Sequence, residues 1–244
     1  MDTVTYTLVV DAGNTNVKAA IFKEMELVHE MKLQQVEELN DLFSRYSITY
    51  ALIARVGAML EGIESVLEKH CTWYKLSAEL ALPFTIGYET PATLGTDRLA
   101  GVAGALHFFP DQHCLVIDAG TCITYDCIDA NRHYQGGAIS PGLQMRFKAL
   151  NTFTHKLPEV ELSGIPEFIG NSTESSIQSG VFYGMVHEIN GTIARYEEQF
   201  NRLQVLLCGG DSLLFGKHVK NNIFAAPNLV LFGLNKILLF HAQV

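Results

Sequence analysis

Basic residues are in the minority in this chain: 17 Lys and Arg stand against 26 Asp and Glu, a formal net charge of -9. Nucleic-acid backbones are held by clustered positive charge, so the deficit argues against nucleic acid as the main partner. A small anion needs only a few local donors and is not excluded. The five cysteines, Cys71, Cys114, Cys122, Cys127 and Cys208, contain no CxxC pair and no spacing to histidine that suggests zinc. They read as reduced, mostly buried thiols of a cytoplasmic protein. No apolar run reaches the ~20 residues that cross a bilayer, since the most apolar late stretch, Leu229 to Phe240, contains Asn235 and Lys236. No membrane association is expected. Asp2 stands early and no basic patch precedes the first apolar run, so the start reads as a strand rather than a secretory signal. A Walker loop is missing as well, because no GxxxxGK[ST] occurs.

What is present is the composition of an ordinary folded protein. With 244 residues, 48% of them hydrophobic and 18% charged, the chain is long enough for one large or two medium domains. No linker or low-complexity tract divides it, yet one signal repeats: Val9-Val10-Asp11-Ala12-Gly13-Asn14-Thr15 returns as Val116-Ile117-Asp118-Ala119-Gly120-Thr121. Each copy follows a run suited to a buried strand, Leu8 to Val10 and Leu115 to Ile117. Each precedes another apolar segment, Val17 to Phe22 and Cys122 to Ile128, so strand, tight turn and strand occur twice. Helical patterns cover Val36 to Tyr46, Ile63 to His70, Leu99 to Phe109, Leu143 to Thr152, Ser175 to Phe200 and Leu229 to His241. Further strands are expected at Tyr50 to Ala54, Trp73 to Leu76 and Gln204 to Cys208. The expectation is two α/β halves of like design, residues 1–111 and 112–244, on either side of a cleft.

The segment Asp11-Ala12-Gly13-Asn14-Thr15-Asn16-Val17-Lys18 offers a carboxylate at a strand end, a glycine that lets backbone N–H groups approach an anion, short polar donors and a cation. These are suitable parts for a nucleoside triphosphate with its metal, and equally for a plain Asx hairpin turn. The second copy, Asp118 to Thr124, favours the first reading, since two such turns can clasp one polyphosphate. A third glycine turn, Cys208-Gly209-Gly210-Asp211, could meet the adenosine part or be an everyday loop. In Tyr88 to Arg98, Asp97 stands beside Arg98 just before a helix. It suits a helix N-terminus on its own account, and it also suits a base that accepts a proton from a substrate hydroxyl while Arg98 holds a carboxylate.

Together these segments resemble the actin, hexokinase and Hsp70 superfamily of duplicated ribonuclease-H-like folds, and within it the type III pantothenate kinases. The likeness runs through Asp11 to Lys18, Gly95-Thr96-Asp97-Arg98, Asp118 to Thr124, Gly136 to Gly142 and Thr173 to Gly180, in that family's order. It implies ATP as phosphoryl donor at Asp11, Ala12, Gly13, Asn14, Thr15, Asn16, Val17, Lys18 and Thr121. It further implies pantothenate held by Tyr88, Gly95, Thr96, Asp97, Arg98 and Thr173, with Asp97 as general base. Mg²⁺ would bridge the phosphates with Asp11 placed to bind it, and a monovalent cation, K⁺ or NH₄⁺, would sit near Asp118. A homodimer is implied too, with Thr173 in a site completed by the neighbouring subunit and Gly136 to Gly142 as a flexible lining loop. Two departures stand out: Cys122 where a small Ala is usual after Gly-Thr, and Arg55 at a strand end where the family often has Ser. The activity implied is the ATP-dependent phosphorylation of pantothenate that opens coenzyme A synthesis. Alternatives are a kinase of another small hydroxy acid, or a non-catalytic nucleotide-binding regulator, whose signature would be loss of Asp11, Asp97, Arg98 or Asp118.

Overall fold

The computed structural model describes residues 5–13, 16–55, 57, 60–220 and 222–243. Two hydrogen-bonded sheets organise the chain. The first is built from β1 (Tyr6–Ala12), β2 (Val17–Lys23) and β3 (Glu26–Leu33), then, after α1 (Glu38–Arg45), β4 (Ile48–Arg55), α2 (Ile63–His70) and β5 (Thr72–Lys75). Its strand order is β3-β2-β1-β4-β5, with β1–β2 and β2–β3 antiparallel and β1–β4 and β4–β5 parallel. The chain continues through β6 (Thr85–Ile86), a single 3₁₀ turn at Pro91–Thr93 and α3 (Thr96–Phe108). The second sheet takes β7 (Cys114–Ala119), β8 (Cys122–Ile128) and β9 (His133–Pro141), then α4 (Leu143–Thr152), α5 (Thr173–Gln199), β10 (Gln204–Cys208), α6 (Ser212–Gly216) and β11 (Ile223–Ala225), before the closing α7 (Leu229–Ala242). Its order is β11-β10-β7-β8-β9-β6. Apart from the added β6, β9-β8-β7-β10-β11 repeats β3-β2-β1-β4-β5 element for element. The sequence repeat is thus a repeat of topology, and the fold is an α/β fold with two mixed sheets.

By compactness the chain forms two units: Met1–Asp111 with Ile128–Gly136 and Asn228–Val244, and Gln112–Cys127 with Gly137–Pro227. The C-terminal helix groups with the first unit.

In the first unit the central strands are buried on both faces, which is why Leu8 to Val10 reads as an unbroken apolar run. Leu8, Val10, Ile21 and Ile53 pack against Leu39 and Leu42 of α1 and Ile63 and Leu67 of α2. Phe22 points instead to α7, with its ring 5.3 Å from Phe232. Helix α3 lacks an amphipathic stripe because residues Arg98 to Leu106 are all buried. It runs against α7 with backbones almost touching: a Cβ on Gly104 would meet the carbonyl of Leu229, and one on Gly233 the carbonyl of Ala100. Asn235, fully buried, accepts from Thr7 Oγ1 (2.6 Å) and donates to the Glu24 carbonyl (2.6 Å), anchoring α7 to β1 and to the β2–β3 turn. Among the described residues no helix is long and apolar enough to cross a membrane.

The second unit is held by α5, whose Ile177, Val181, Phe182, Met185, Ile189 and Ile193 share one core with Leu115, Ile117, Tyr125, Val205 and Leu207 of the sheet. That stripe at helical spacing explains a 27-residue helix. Its start is fixed by a capping box, in which Ser172 Oγ accepts from Ser175 N (3.1 Å) and Ser175 Oγ accepts from Ser172 N (2.9 Å).

Candidate active site

The ends of β1 and β4 and the start of α3 converge in the first unit. Asp11 is the penultimate residue of β1 and lies opposite Lys18 across the β1–β2 pair, with Ala12 opposite Val17. The turn between them is closed by Gly13 N donating to the Asn16 carbonyl (3.1 Å). On the other side Asp11 and Ala12 are in register with Ala54 and Arg55 of β4. Thr96 Oγ1, at the first position of α3, donates to the Arg55 carbonyl (3.4 Å). This bond ties the helix start to the strand next to β1 and so carries Asp97 toward Asp11.

The electrostatics record that proximity. Burial first and the Asp97 charge second push the Asp11 carboxyl up to about 6, with Lys18 opposing both. Two carboxylates and one ammonium therefore share a partly desolvated space, in which a cation would be welcome. Asp97 Oδ1 accepts from Arg98 N (2.9 Å) in the first turn of α3. Asp97 thus stands in that turn, on the side of Asp11.

Arg98 is buried, with its guanidinium carbon 5.7 Å from the centre of the Tyr88 ring. Tyr88 stacks in turn on the buried Tyr134 at 6.3 Å, and a Cβ on Gly136, whose φ is +95°, would touch the Tyr88 ring. The first unit thus brings together Asp11, Ala12, Gly13, Lys18, Tyr88, Gly95, Thr96, Asp97 and Arg98 of the residues expected from sequence. Asn14 and Thr15 lie outside the described residues. Tyr134 was not foreseen. Its signal is weak, an aromatic beside a glycine pair, and only its pairing behind β6 reveals it: Ile86 is in parallel register with it.

In the second unit Asp118 is the penultimate residue of β7, in register with Cys208 of β10. Gly120 N donates to the Cys122 carbonyl (3.0 Å), closing a turn one residue shorter than that from Gly13 to Asn16. The third glycine turn belongs here. Gly209 has φ +91°, and a Cβ on it would strike Asp118 Oδ1 and the Ala119 carbonyl, while Asp211 N donates to that same carbonyl (2.9 Å). Only glycine fits both the backbone angle and the gap. Burial raises the Asp211 carboxyl above its usual range. Thr121 is exposed at the turn and Cys122 half-buried beside it. Thr173 is placed separately, at the first position of α5 just after the Ser172 cap, and is exposed. Gly136 to Pro141, expected as a flexible loop, is the end of β9, because Gly137 lets β9 come backbone to backbone with β8 at the Tyr125 carbonyl.

Among the described residues no group of three or more His, Cys, Asp or Glu could hold a metal ion.

Residues 7–195 match the sequence profile of type III pantothenate kinase. The chain belongs to the type III pantothenate kinase family. The type III pantothenate kinase of Phocaeicola vulgatus is 45% identical over 240 residues, covering 97% of this chain and 99% of that one. The corresponding enzyme of Christiangramia forsetii is 43% identical over 238 residues, covering 96% and 98%. Solved structures of the same fold include a Baf family protein from Campylobacter jejuni (TM-score 0.59, 23% identity, 97% of this chain and 100% of that one). A ROK hexokinase from Thermus thermophilus shares it as well (TM-score 0.54, 11% identity, 98% and 99%). At such identities the likeness shows the fold alone.

Proposed function

We propose that this member of the type III pantothenate kinase family transfers the γ-phosphoryl group of ATP to the primary hydroxyl of pantothenate, giving 4'-phosphopantothenate for coenzyme A synthesis. The observation that carries this reading is the meeting of Asp11 and Asp97, with Arg98 and Tyr88 beside them, in a chain that matches the family over nearly its whole length. Phosphoryl transfer proceeds through a loose transition state, so positioning and charge are the protein's main contributions. Asp97 orients the pantothenate hydroxyl and takes its proton late, as negative charge passes to the leaving ADP. Arg98 holds the pantothenate carboxylate, with Tyr88 shaping the wall beneath it and Gly95 leaving space, since a Cβ there would collide with Asp97 Oδ1 at 2.5 Å. Lys18 and the Gly13 turn, with Asn14, Thr15, Asn16 and Thr121, receive the phosphates. Asp11 would hold Mg²⁺ directly or through water, and Asp118 a monovalent cation, K⁺ or NH₄⁺. When bound, these cations offset charge on the phosphate oxygens. A kinase for another hydroxy acid would keep the turns and change the groups beside Asp97.

A homodimer completes this proposal, with Thr173 reaching pantothenate across it. Support comes from apolar side chains left in solvent in the second unit, Phe153 at 85% and Ile169 at 81% exposure, with Ile139, Ile165 and Phe168 also exposed. The five free cysteines accord with a reducing, cytoplasmic setting. The test is product analysis: γ-labelled ATP and pantothenate incubated with the protein should give labelled 4'-phosphopantothenate. Label found only in inorganic phosphate, or on another acceptor alone, would rule the assignment out.

A further inference from the structure

The turn of Gly120 and Thr121 is gripped from behind by the start of α4, and the grip passes through a single peptide plane. The amide joining Pro141 to Gly142 presents its N–H to the Thr121 carbonyl at 3.2 Å. Its oxygen, on Pro141, accepts from Arg146 Nε at 2.8 Å. A peptide is planar, so fixing its oxygen fixes the direction of its N–H. The contact has little slack, because a Cβ on Gly142 would collide with the carbonyl oxygens of Gly120 and Thr121.

Arg146 is itself held firmly. Its terminal nitrogen donates to Ser140 Oγ (3.0 Å) and to Glu188 of α5, and Glu188 also accepts from the buried Tyr125 hydroxyl of β8 (3.0 Å). The Arg146 and Glu188 side chains are only 20% and 28% exposed. Burial alone would push the Glu188 carboxyl up, but the hydrogen bonds from Arg146, Ser140 and Tyr125 outweigh it and hold the group below its usual range. A guanidinium can serve Pro141 through Nε and Ser140 with Glu188 through its end at once. A lysine ammonium cannot span that fork.

We infer that Arg146 is a positioning residue for ATP: through the Pro141–Gly142 peptide it sets the Thr121 carbonyl and the turn that meets the phosphates. This rests on the proposed role of Thr121 as an ATP contact. Arg146→Lys is expected to raise KM for ATP about tenfold while KM for pantothenate stays within about twofold, as a small displacement of one phosphate-binding turn requires. Glu188→Gln, which loosens the same guanidinium without removing it, should move KM for ATP in the same direction by less. Ser140→Ala, which leaves the bond to Pro141 in place, should hardly move it. Melting temperatures of all three are measured alongside. A lower melting temperature for Arg146→Lys with both KM values unchanged, or an equal rise in both, would overturn the positioning role. Thr121→Val separates the two layers. If it raises KM for ATP and Arg146→Lys does not, positioning fails alone; if neither does, the ATP contact beneath it fails as well.

Discussion

Asp11 shows what one residue discloses and conceals. Its type and its place near a glycine are plain in the sequence, whereas the environment that raises it to about 6 is not, because its burial is set by the fold and the Asp97 charge comes from a helix more than eighty positions away in the chain. An acid whose folded value lies above its unfolded value of 3.8 binds more protons when folded. Its contribution therefore falls as pH rises through the window between about 4 and 6. Without added cations, the stability of the parent relative to Asp11→Asn should drop by about 2 kcal/mol between pH 4 and pH 7, measured by urea melts at each pH. A flat difference would show that Asp11 is not desolvated. Mg²⁺ added at pH 7 should recover more stability in the parent than in Asp11→Asn, as a cation bound at that carboxylate requires. At the other end of the site, Arg98→Lys should raise KM for pantothenate about tenfold or more with KM for ATP little changed, since an ammonium lacks the planar fork that suits a carboxylate.

At the scale of elements, those with a strong apolar period were legible. Ile63–His70, Leu143–Thr152, Cys122–Ile128 and Gln204–Cys208 match the sequence reading residue for residue. Helix α3 starts three residues earlier than its apolar pattern, at Thr96, because its first turn, Thr96-Asp97-Arg98, is polar. Strand β3 escaped notice since it is an edge strand with alternate residues in solvent and only Leu33 fully buried, which leaves Glu26, His29, Glu30 and Lys32 to mask the period. Strand β9 escaped for a different reason: Gly136-Gly137 resembles a loop, while in the fold Gly137 permits the closest approach of two strands. The crossing of α3 and α7 gives an element-scale prediction. Gly233→Ala would gain up to ~1 kcal/mol in helix propensity. Its Cβ would nonetheless press on the Ala100 carbonyl, so the net effect should be a loss of about 1–3 kcal/mol. A thermal melt that rises for Gly233→Ala would contradict the backbone contact.

For the whole molecule, the repeated Asp-Ala-Gly was the strongest clue, because a duplicated strand, turn and strand brings with it a duplicated sheet order. What the repeat could not convey is that α7, last in the chain, joins the first unit. Nothing in its apolar face names a partner, and only the glycines at 104 and 233 and the buried Asn235 do. The two-subunit site proposed above predicts a dimer mass in light scattering at micromolar protein. Phe153→Glu with Ile169→Glu should shift that mass toward the monomer and raise KM for pantothenate, whereas a monomeric parent with full activity would remove Thr173 from the site.

The most direct test is ADP release from Mg-ATP by the parent and by Asp97→Asn, with and without pantothenate, in potassium and in sodium buffer. Turnover that requires pantothenate, is faster in potassium and falls at least about 100-fold in Asp97→Asn is the result expected of a general base facing the substrate hydroxyl. Pantothenate-dependent turnover that survives in Asp97→Asn would contradict that role, and no pantothenate-dependent turnover in either buffer would contradict the kinase itself.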